Sequence, residues 1–407
     1  MKRPLVIILY IPKIILFLTL ASFLLLAIPS TNTWALEKPK DSNCKGTRIN
    51  KDIIKGIDLL YDNSFDDAEN LFRKVIDEFP DKPIGYFYLA MVTWSRLSSG
   101  FWSRDTVTEY QTRIDRTIEI AGKSIESDSS DCYDFFYLGG ALGFKGRFEL
   151  MQNNWFPSFS LAIKAIDVLK TCLKIDPENK DVLLGLGIFD YYTDRLSGVL
   201  KFLYYIFIHR GNMEEGLKKL NIAAKEAVYS ATEAKSMLIH IYLFVEEDFL
   251  KAMKLADELA KKYRQSPRWR FLLGVCYIRL GMDREYHEVV NLLRKRSLQA
   301  KTLSEAGLWG KRALYLETVH DLFKKQYNEA RAKLEVILNK KDSLNDPEMI
   351  AWPLMKIGMS YDLEGNREEA VNYYQEVLNM ENGSGAQFLA KKLLKYPLKQ
   401  NDPFIGY

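Results

Sequence analysis

The stretch 354–378, LMKIGMSYDLEGNREEAVNYYQEVL, decides the fold of this chain. It places Gly358 in one apolar stripe, a turn at Gly365, and Ala370 four residues before Tyr374 in a second stripe. Apolar residues at three- and four-residue spacing are typical of helices that bury one face. The small residues fall where two antiparallel helices must approach closely. The stretch therefore predicts a helix–turn–helix unit.

Related copies of this pattern occur earlier in the chain. One is KGIDLLYDNSFDDAENLFRKVIDEFP at 55–80, and another is IKAIDVLKTCLKIDP at 163–177. Pro80 and Pro177 end the second helix of each copy, because proline cannot continue a helix and disfavours α geometry in the residue before it. One unit is too small to bury its own apolar stripes, so several units must stack.

The copies resemble the tetratricopeptide repeat, a helical hairpin of about 34 residues. This resemblance implies an all-α fold: a right-handed α-solenoid of about eight helix pairs, with inserted segments and a C-terminal capping helix. A general HEAT-like hairpin array is the alternative, but the spacing of alanine, aromatic residue and proline favours the tetratricopeptide interpretation. The predicted helix pairs are 49–80, 83–129, 132–177, 180–228, 231–264, 268–297, 303–341 and 350–382, followed by a capping helix at 384–396.

The N-terminus resembles a secretory signal peptide. Lys2 and Arg3 precede an uncharged apolar run at 14–28, and a polar segment then ends at Ala35. This order predicts cleavage after Ala35. Counted from Leu5, the apolar stretch is also long enough to span a bilayer, so an uncleaved anchor stays open. Both interpretations place the following residues outside the cytoplasm, in the periplasm or cell envelope of a bacterial cell.

These boundaries predict four segments. Residues 1–35 form the signal peptide or anchor, 36–48 a flexible lead, 49–397 the repeat array, and 398–407 a C-terminal tail. Residues 1–35 contain three basic residues and no acidic ones, so their removal lowers the formal net charge from +4 to +1. A nearly neutral chain lacks the basic footprint of a nucleic-acid-binding protein.

Motifs for catalysis or metal binding are missing from the sequence. The four histidines are scattered without metal-ligand spacing. The glycine-rich run at 139–143 lacks the lysine and hydroxyl residue of a phosphate-binding loop and is better explained by close helix packing. We therefore expect a non-catalytic protein without a cofactor or a metal ion.

The four cysteines form no Cys-x-x-Cys pair. Cys132 begins one predicted helix and Cys172 lies near the end of its antiparallel partner, so these two are a candidate disulfide. Buried, unreactive thiols are the alternative.

The second, third and fourth units carry insertions between their two helices, at 98–110, 144–160 and 193–212. Insertions in a solenoid usually decorate one face. The third contains a mainly apolar segment at 196–208, which is too short to cross a bilayer as a helix. A buried packing helix, a membrane-surface element and a partner site all stay open for this segment.

In tetratricopeptide proteins the first helix of each pair lines a concave groove, so the resemblance implies a partner-binding set on these helices. This set is rich in aromatic residues and lacks the polar clamp that many such proteins use for peptides. It suits an apolar or amphipathic segment, unless the chain's own insertions fill the groove. The candidate residues are Phe87, Trp94, Arg96, Phe136, Phe144, Tyr191, Tyr192 and Arg195.

Three functions stay open. The first is a scaffold in the cell envelope that binds an unidentified protein through the aromatic groove or the insertions. The second is a membrane-surface adaptor that uses 196–208, and the third is an enzyme or small-ligand protein with a site among the insertions. The layout of 194–220 is similar to the eukaryotic inclusion-body-clearance family and its animal tetratricopeptide relatives, a resemblance that carries no catalytic residue.

Overall fold

A computed structural model describes residues 51–98, 103–152, 154–194, 212–340, 348–381 and 385–407. All of these residues belong to the unit Asn43–Tyr407. The helices in chain order are α1 (Lys51–Tyr61), α2 (Phe65–Glu78), α3 (Pro83–Ser98), α4 (Arg104–Ser127), α5 (Cys132–Met151), α6 (Trp155–Ile175), α7 (Val182–Asp194), α8 (Met213–Glu226), α9 (Ala231–Phe244), α10 (Phe249–Lys262), α11 (Pro267–Leu280), α12 (Asp283–Gln299), α13 (Leu303–Phe323), α14 (Tyr327–Leu338), α15 (Glu348–Glu364), α16 (Arg367–Asn379) and α17 (Ala386–Lys395), followed by a 3₁₀ turn at Pro403–Gly406.

The described part of the chain is an all-α solenoid. Helices α1 to α16 form eight successive hairpins, and each hairpin packs on the next. Odd-numbered helices are the first helices of the pairs and even-numbered ones the second. The hairpins coincide with the predicted pairs to within a few residues, which confirms the predicted fold class.

Small residues lie at the helix crossings, as the repeat pattern predicts. Ala165 is 4% exposed and Ala370 is fully buried. A β-carbon placed on Gly358 would come within 2.7 Å of the Tyr374 ring. The helices of a pair therefore approach too closely for larger side chains at these positions.

Five of the described hairpin turns contain a residue with positive φ, which reverses the chain within a few residues. They are Asn63 (φ 64°), Glu247 (54°), Gly281 (69°), Lys325 (61°) and Gly365 (86°). These turns belong to the first, fifth, sixth, seventh and eighth hairpins. The remaining three hairpins, the second, third and fourth, are those in which the sequence has inserted residues.

The first two insertions mainly lengthen helices. Helix α4 has 24 residues, α5 has 20 and α6 has 21, whereas α1 has only 11. The expectation of inserted connections at 98–110 and 144–160 is therefore corrected: most of these residues continue the hairpin arms. The apolar segment 196–208 lies outside the described residues.

The two ends of the described array differ in how they are closed. At one end, α17 packs on α15 and α16 as the predicted capping helix. Arg367 donates hydrogen bonds from Nη2 to the carbonyl oxygens of Leu393 (2.6 Å) and Leu394 (2.9 Å) at the end of α17. Because a helix C-terminus has free carbonyls and a partial negative charge, a guanidinium there stabilises the cap.

At the other end, α1 contacts hairpins far along the chain. Tyr61 donates from its hydroxyl to Glu233 (3.0 Å) and accepts a hydrogen bond from Trp269 Nε1 at its carbonyl oxygen (3.2 Å). Asp62 accepts from the backbone N–H of Gln265 at 2.7 Å. The first hairpin is therefore fastened to the fifth and sixth as well as to its neighbour.

Candidate partner-binding groove

Four of the predicted groove residues lie in the core between α3 and α5. Phe87, Trp94 and Phe136 are buried, and Phe144 is half-buried. Their rings contact one another, with centroids 6.1 Å apart for Phe87 and Phe144 and 5.5 Å apart for Trp94 and Phe144. The Arg147 guanidinium lies 5.2 Å from the Trp94 ring centroid. Aromatic residues packed edge to face in this way hold two hairpins together and do not form an open groove.

The other predicted groove residues that the structure describes differ in exposure, although the Tyr191 and Tyr192 rings contact each other with centroids 5.1 Å apart. Tyr191 is fully buried and donates a hydrogen bond to the Glu246 carboxylate, whereas Tyr192 is 40% exposed. Arg96 pairs with Asp66 (2.7 Å) and Glu69 (2.8 Å) and so ties α3 to α2.

Arg195 lies outside the described residues. The expectation of one continuous, open aromatic surface from this set is therefore corrected, because neighbouring hairpins cover most of its members.

The candidate disulfide is not formed. Cys132 and Cys172 are both buried and are not joined to each other. The Cys132 thiol lies 3.8 Å from Asp176 Oδ2 and 3.6 Å from Asn179 Nδ2, within hydrogen-bonding distance for sulfur. In the structure these cysteines match the alternative interpretation, in which their thiols fill small core positions.

An occupied groove lies instead on the first helices α9, α11, α13 and α15. Residues 398–407, here called the tail segment, lie across these helices. The segment begins where the Leu398 N–H donates to Asp362 Oδ2 (3.0 Å), and it ends beside Trp352. Asp402 accepts from the Phe404 N–H at 2.9 Å and starts the 3₁₀ turn. The sequence predicted these residues only as a tail, without a binding site.

Lys356 on α15 contacts the backbone of the tail segment. It is fully buried, and its Nζ donates to the carbonyl oxygens of Phe404 (2.9 Å) and Ile405 (2.8 Å). Burial lowers the pKa of this amine to about 7, an effect that the Asp402 carboxylate partly opposes. Lys356 thus contacts two carbonyls of the 3₁₀ turn, and these contacts do not depend on the side chains of Phe404 and Ile405.

Two further donors reach the backbone of the tail segment. The Tyr315 hydroxyl on α13 donates to the Tyr407 carbonyl oxygen at 3.2 Å, and Arg279 Nη1 on α11 donates to the Asn401 carbonyl oxygen at 3.1 Å. Arg279 is itself fixed by Glu247, whose Oε2 lies 3.0 Å from its Nη2. Three first helices, α11, α13 and α15, thus contribute hydrogen-bond donors to the backbone of the tail segment.

Apolar walls hold the side chains of the tail segment. Ile405 is fully buried, and the Tyr407 ring centroid lies 4.5 Å from that of Trp352 and 5.1 Å from that of Phe244. A β-carbon on Gly406 would come within 2.8 Å of Val275 Cγ1, so this position admits only glycine without movement. The groove therefore holds a bulky apolar residue, a glycine and an aromatic residue in succession, and the last of these, Tyr407, stays 39% exposed.

The groove carries a neutral imidazole at the end occupied by Tyr407. Burial, with a smaller contribution from the Arg268 charge, lowers the pKa of His240 to about 3. Its Nδ1 lies 2.8 Å from the Ser236 carbonyl oxygen, and its ring centroid lies 6.4 Å from that of Tyr407. Because His240 stays uncharged at neutral pH, this end of the groove suits an aromatic side chain.

Only part of this site has a signal in the sequence. The apolar run PFIGY after a polar stretch indicates buried side chains, but not the surface that buries them. In the sequence, Lys356 is a single lysine within an amphipathic helix, and such a lysine would ordinarily lie on the solvent-exposed face. The contacts depend on four hairpins that converge only in three dimensions.

Within the described ranges, no group of three or more His, Cys, Asp and Glu side chains is arranged to hold a metal ion. Nor do these ranges contain a helix with the length and hydropathy needed to cross a membrane.

Comparisons with known proteins agree with a helical-repeat fold. Residues 354–380 match the sequence profile of the tetratricopeptide repeat family. A search of curated proteins found no match.

Similar solved structures include the human IFIT1 dimer with PPP-AAAA, the TPR domain of P58(IPK), and YrrB, described as a TPR protein with an unusual peptide-binding site. Human IFIT1 has a TM-score of 0.42 and 14% identity, over 80% of this chain and 71% of that one. For P58(IPK) the values are 0.21, 16%, 88% and 95%, and for YrrB they are 0.19, 14%, 79% and 98%. Likeness at this level carries no argument about what this chain binds.

Proposed function

We propose that this chain is a non-catalytic protein-interaction scaffold of the cell envelope, and that the groove of α9, α11, α13 and α15 binds an apolar segment of a partner protein. One observation carries the proposal: the groove already holds a ten-residue segment, which includes a 3₁₀ turn, through donors to its carbonyls and walls around its side chains. Lys356, Tyr315 and Arg279 contact backbone atoms, so a partner segment could make the same hydrogen bonds. This mode combines backbone recognition with side-chain pockets.

Peptide selection on the full chain tests this function. The chain carries Ile405→Asp, because a carboxylate in a fully buried position expels the tail segment and leaves the groove open. We expect enriched peptides to share a bulky apolar residue, a small residue and an aromatic residue in succession. Lys356→Met in the same chain should weaken their binding at least about tenfold, since methionine cannot donate to the carbonyls.

The matched control is Lys261→Met on the second helix α10, where the lysine is exposed and pairs with Asp257. It should leave peptide affinity unchanged. Peptides without a common pattern, or peptides that bind the Lys356→Met chain equally well, would contradict the proposed groove.

The envelope location rests on the N-terminal pattern of basic residues, apolar run and polar segment ending at Ala35. Residues 1–50 lie outside the described residues, so this part of the proposal depends on sequence alone. N-terminal sequencing of the natively expressed protein should find Leu36 as its first residue. A protein that still begins at Met1 and sediments with membranes would support the anchor instead.

One observation favours a membrane-surface adaptor as a second candidate function. Trp155 and Phe156, the first two residues of α6, are 48% and 85% exposed, although the Trp155 ring centroid lies 5.2 Å from that of Phe388. Exposed tryptophan and phenylalanine are typical of residues that enter a membrane interface. Flotation with vesicles of phosphatidylethanolamine and phosphatidylglycerol tests this candidate: Phe156→Ser should reduce binding, and equal binding would exclude a role for this residue.

A further inference from the structure

The backbone of the tail segment is held to the array by hydrogen bonds from side chains, not by a helical or sheet hydrogen-bond ladder. Its regular structure is one 3₁₀ turn, and the hydrogen bonds from the groove to its backbone come from the side chains of Lys356, Tyr315 and Arg279. These contacts can open while the helical hydrogen bonds of the first helices stay intact.

Within the tail segment, the residues between the buried Leu398 and the 3₁₀ turn include three that are solvent-exposed. Lys399, Gln400 and Asn401 are all exposed, and Asn401 adopts φ 69°. Its left-handed backbone makes the bend that turns the chain into the groove. This bend can act as a hinge for residues 402–407 once the hydrogen bond from Arg279 to the Asn401 carbonyl opens, because the bend itself buries little apolar surface.

We propose that residues 398–407 are a displaceable intramolecular ligand, which occupies the partner-binding groove until a segment of the same apolar–glycine–aromatic pattern replaces it. This inference rests on the proposed function of the groove. It adds that the free chain is self-inhibited, and it names the chemistry of the competing partner from the sequence Phe404-Ile405-Gly406-Tyr407.

The fit of the tail segment defines what a competing segment must contain. Ile405 is buried completely, and Gly406 lies against Val275 where no side chain fits. Phe404 stacks on Phe244 with centroids 6.3 Å apart and an interplanar angle of 17°. A partner segment needs the same succession of side chains, and its backbone must form a similar 3₁₀ turn to present two carbonyls to Lys356.

Self-occupancy has a measurable consequence for affinity. If the groove is open in only a fraction of molecules, the apparent dissociation constant for a partner rises by the inverse of that fraction. A variant that cannot close its own groove should therefore bind the same peptide more tightly than the unmodified chain. A merely structural tail would not compete with added peptide.

The experiment titrates a fluorescent decapeptide, LKQNDPFIGY, into three full-length chains. They are the unmodified chain, Ile405→Asp and Gly406→Val. Both substitutions lie in the tail segment, outside α1 to α17. Ile405→Asp buries a charge and Gly406→Val clashes with Val275, so they loosen the segment for different reasons.

We expect both variants to bind the decapeptide at least about tenfold more tightly than the unmodified chain. Adding Lys356→Met to either variant should reverse this gain, and Lys261→Met should not. Hydrogen exchange of amides 398–407 should be faster in both variants, while circular dichroism shows unchanged helix content. Two variants guard against a folding defect in one of them.

The remaining outcomes separate this inference from the proposed function. Equal decapeptide binding by all three chains would overturn self-inhibition but leave the groove as a binding site. Failure of the decapeptide to bind any chain would overturn the inference. The proposed function would fall with it only if peptides selected on the open groove also failed to depend on Lys356.

Discussion

Lys356 shows how a single buried amine can make the free energy of unfolding of this protein depend on pH. Its amine is surrounded by the tail segment and the Tyr315 ring, whose centroid lies 5.9 Å from Nζ. Burial lowers its pKa from near 10.5 to about 7. Between these two pH values the unfolded chain holds a proton that the folded chain lacks. The free energy of unfolding should therefore rise with pH in this window and show no dependence on Lys356 below it.

This first prediction can be measured by urea unfolding between pH 6.5 and 9. The unmodified chain should gain up to about 1.4 kcal/mol per pH unit above pH 7, relative to a Lys356→Met chain. Lys261→Met, which removes an exposed amine, should follow the unmodified chain. Parallel pH profiles for the unmodified and Lys356→Met chains would show that the amine is hydrated in the folded protein.

At the scale of the helical hairpin, the closest approach of α7 and α8 depends on Gly216. A β-carbon there would lie 2.6 Å from the backbone nitrogen of Tyr191 and 2.9 Å from the carbonyl oxygen of Gly187. Backbone atoms cannot yield as a flexible side chain can. Gly216→Ala should therefore push the two helices apart and destabilise the protein by about 1–3 kcal/mol.

Gly122 in the C-terminal half of α4 is the matched control for this second prediction. A β-carbon added there would meet no packing neighbour within 4 Å among the described residues, so Gly122→Ala should stabilise the helix by about 0.5–1 kcal/mol. Thermal unfolding followed by circular dichroism compares the two chains. If both substitutions shift the midpoint in the same direction, helix packing at Gly216 is looser than the structure shows.

The hairpins were predictable from sequence because their signals are local. The small residues Gly358 and Ala370, the turn glycine Gly365 and the closing prolines act within one unit, so their meaning does not depend on distant parts of the chain. Burial of Phe87 and Trp94 depends on how neighbouring units pack, and the same aromatic pattern would fit an open groove or a filled one. The binding of residues 398–407 depends on four hairpins together, so no periodicity in the sequence could reveal it.

For the molecule as a whole, contacts between α1 and the fifth and sixth hairpins change how the array should unfold. In a simple solenoid each repeat touches only its neighbours, so the terminal hairpin frays first. Here Asp58 accepts a hydrogen bond from the Tyr263 hydroxyl (2.9 Å) and pairs with Lys262 (2.8 Å), while Asp62 accepts from the Gln265 N–H (2.7 Å). These contacts join residues more than 200 positions apart in the sequence.

The third prediction is that Asp58→Ala combined with Asp62→Ala releases α1 and α2 from this closure. The exposed ion pair with Lys262 contributes little, so we expect a loss of about 2 kcal/mol, mainly from the hydrogen bonds to Tyr263 and Gln265. Hydrogen exchange in α1 and α2 should accelerate at least about tenfold, while exchange in α13 to α16 stays unchanged. Asp77→Ala, an exposed position on α2, is the control. If hydrogen exchange accelerates uniformly throughout the array, the chain unfolds as one cooperative unit even without these contacts. If exchange in α1 and α2 does not change, packing of Tyr61 against Trp269 and Tyr263 is enough to hold the first hairpin in place.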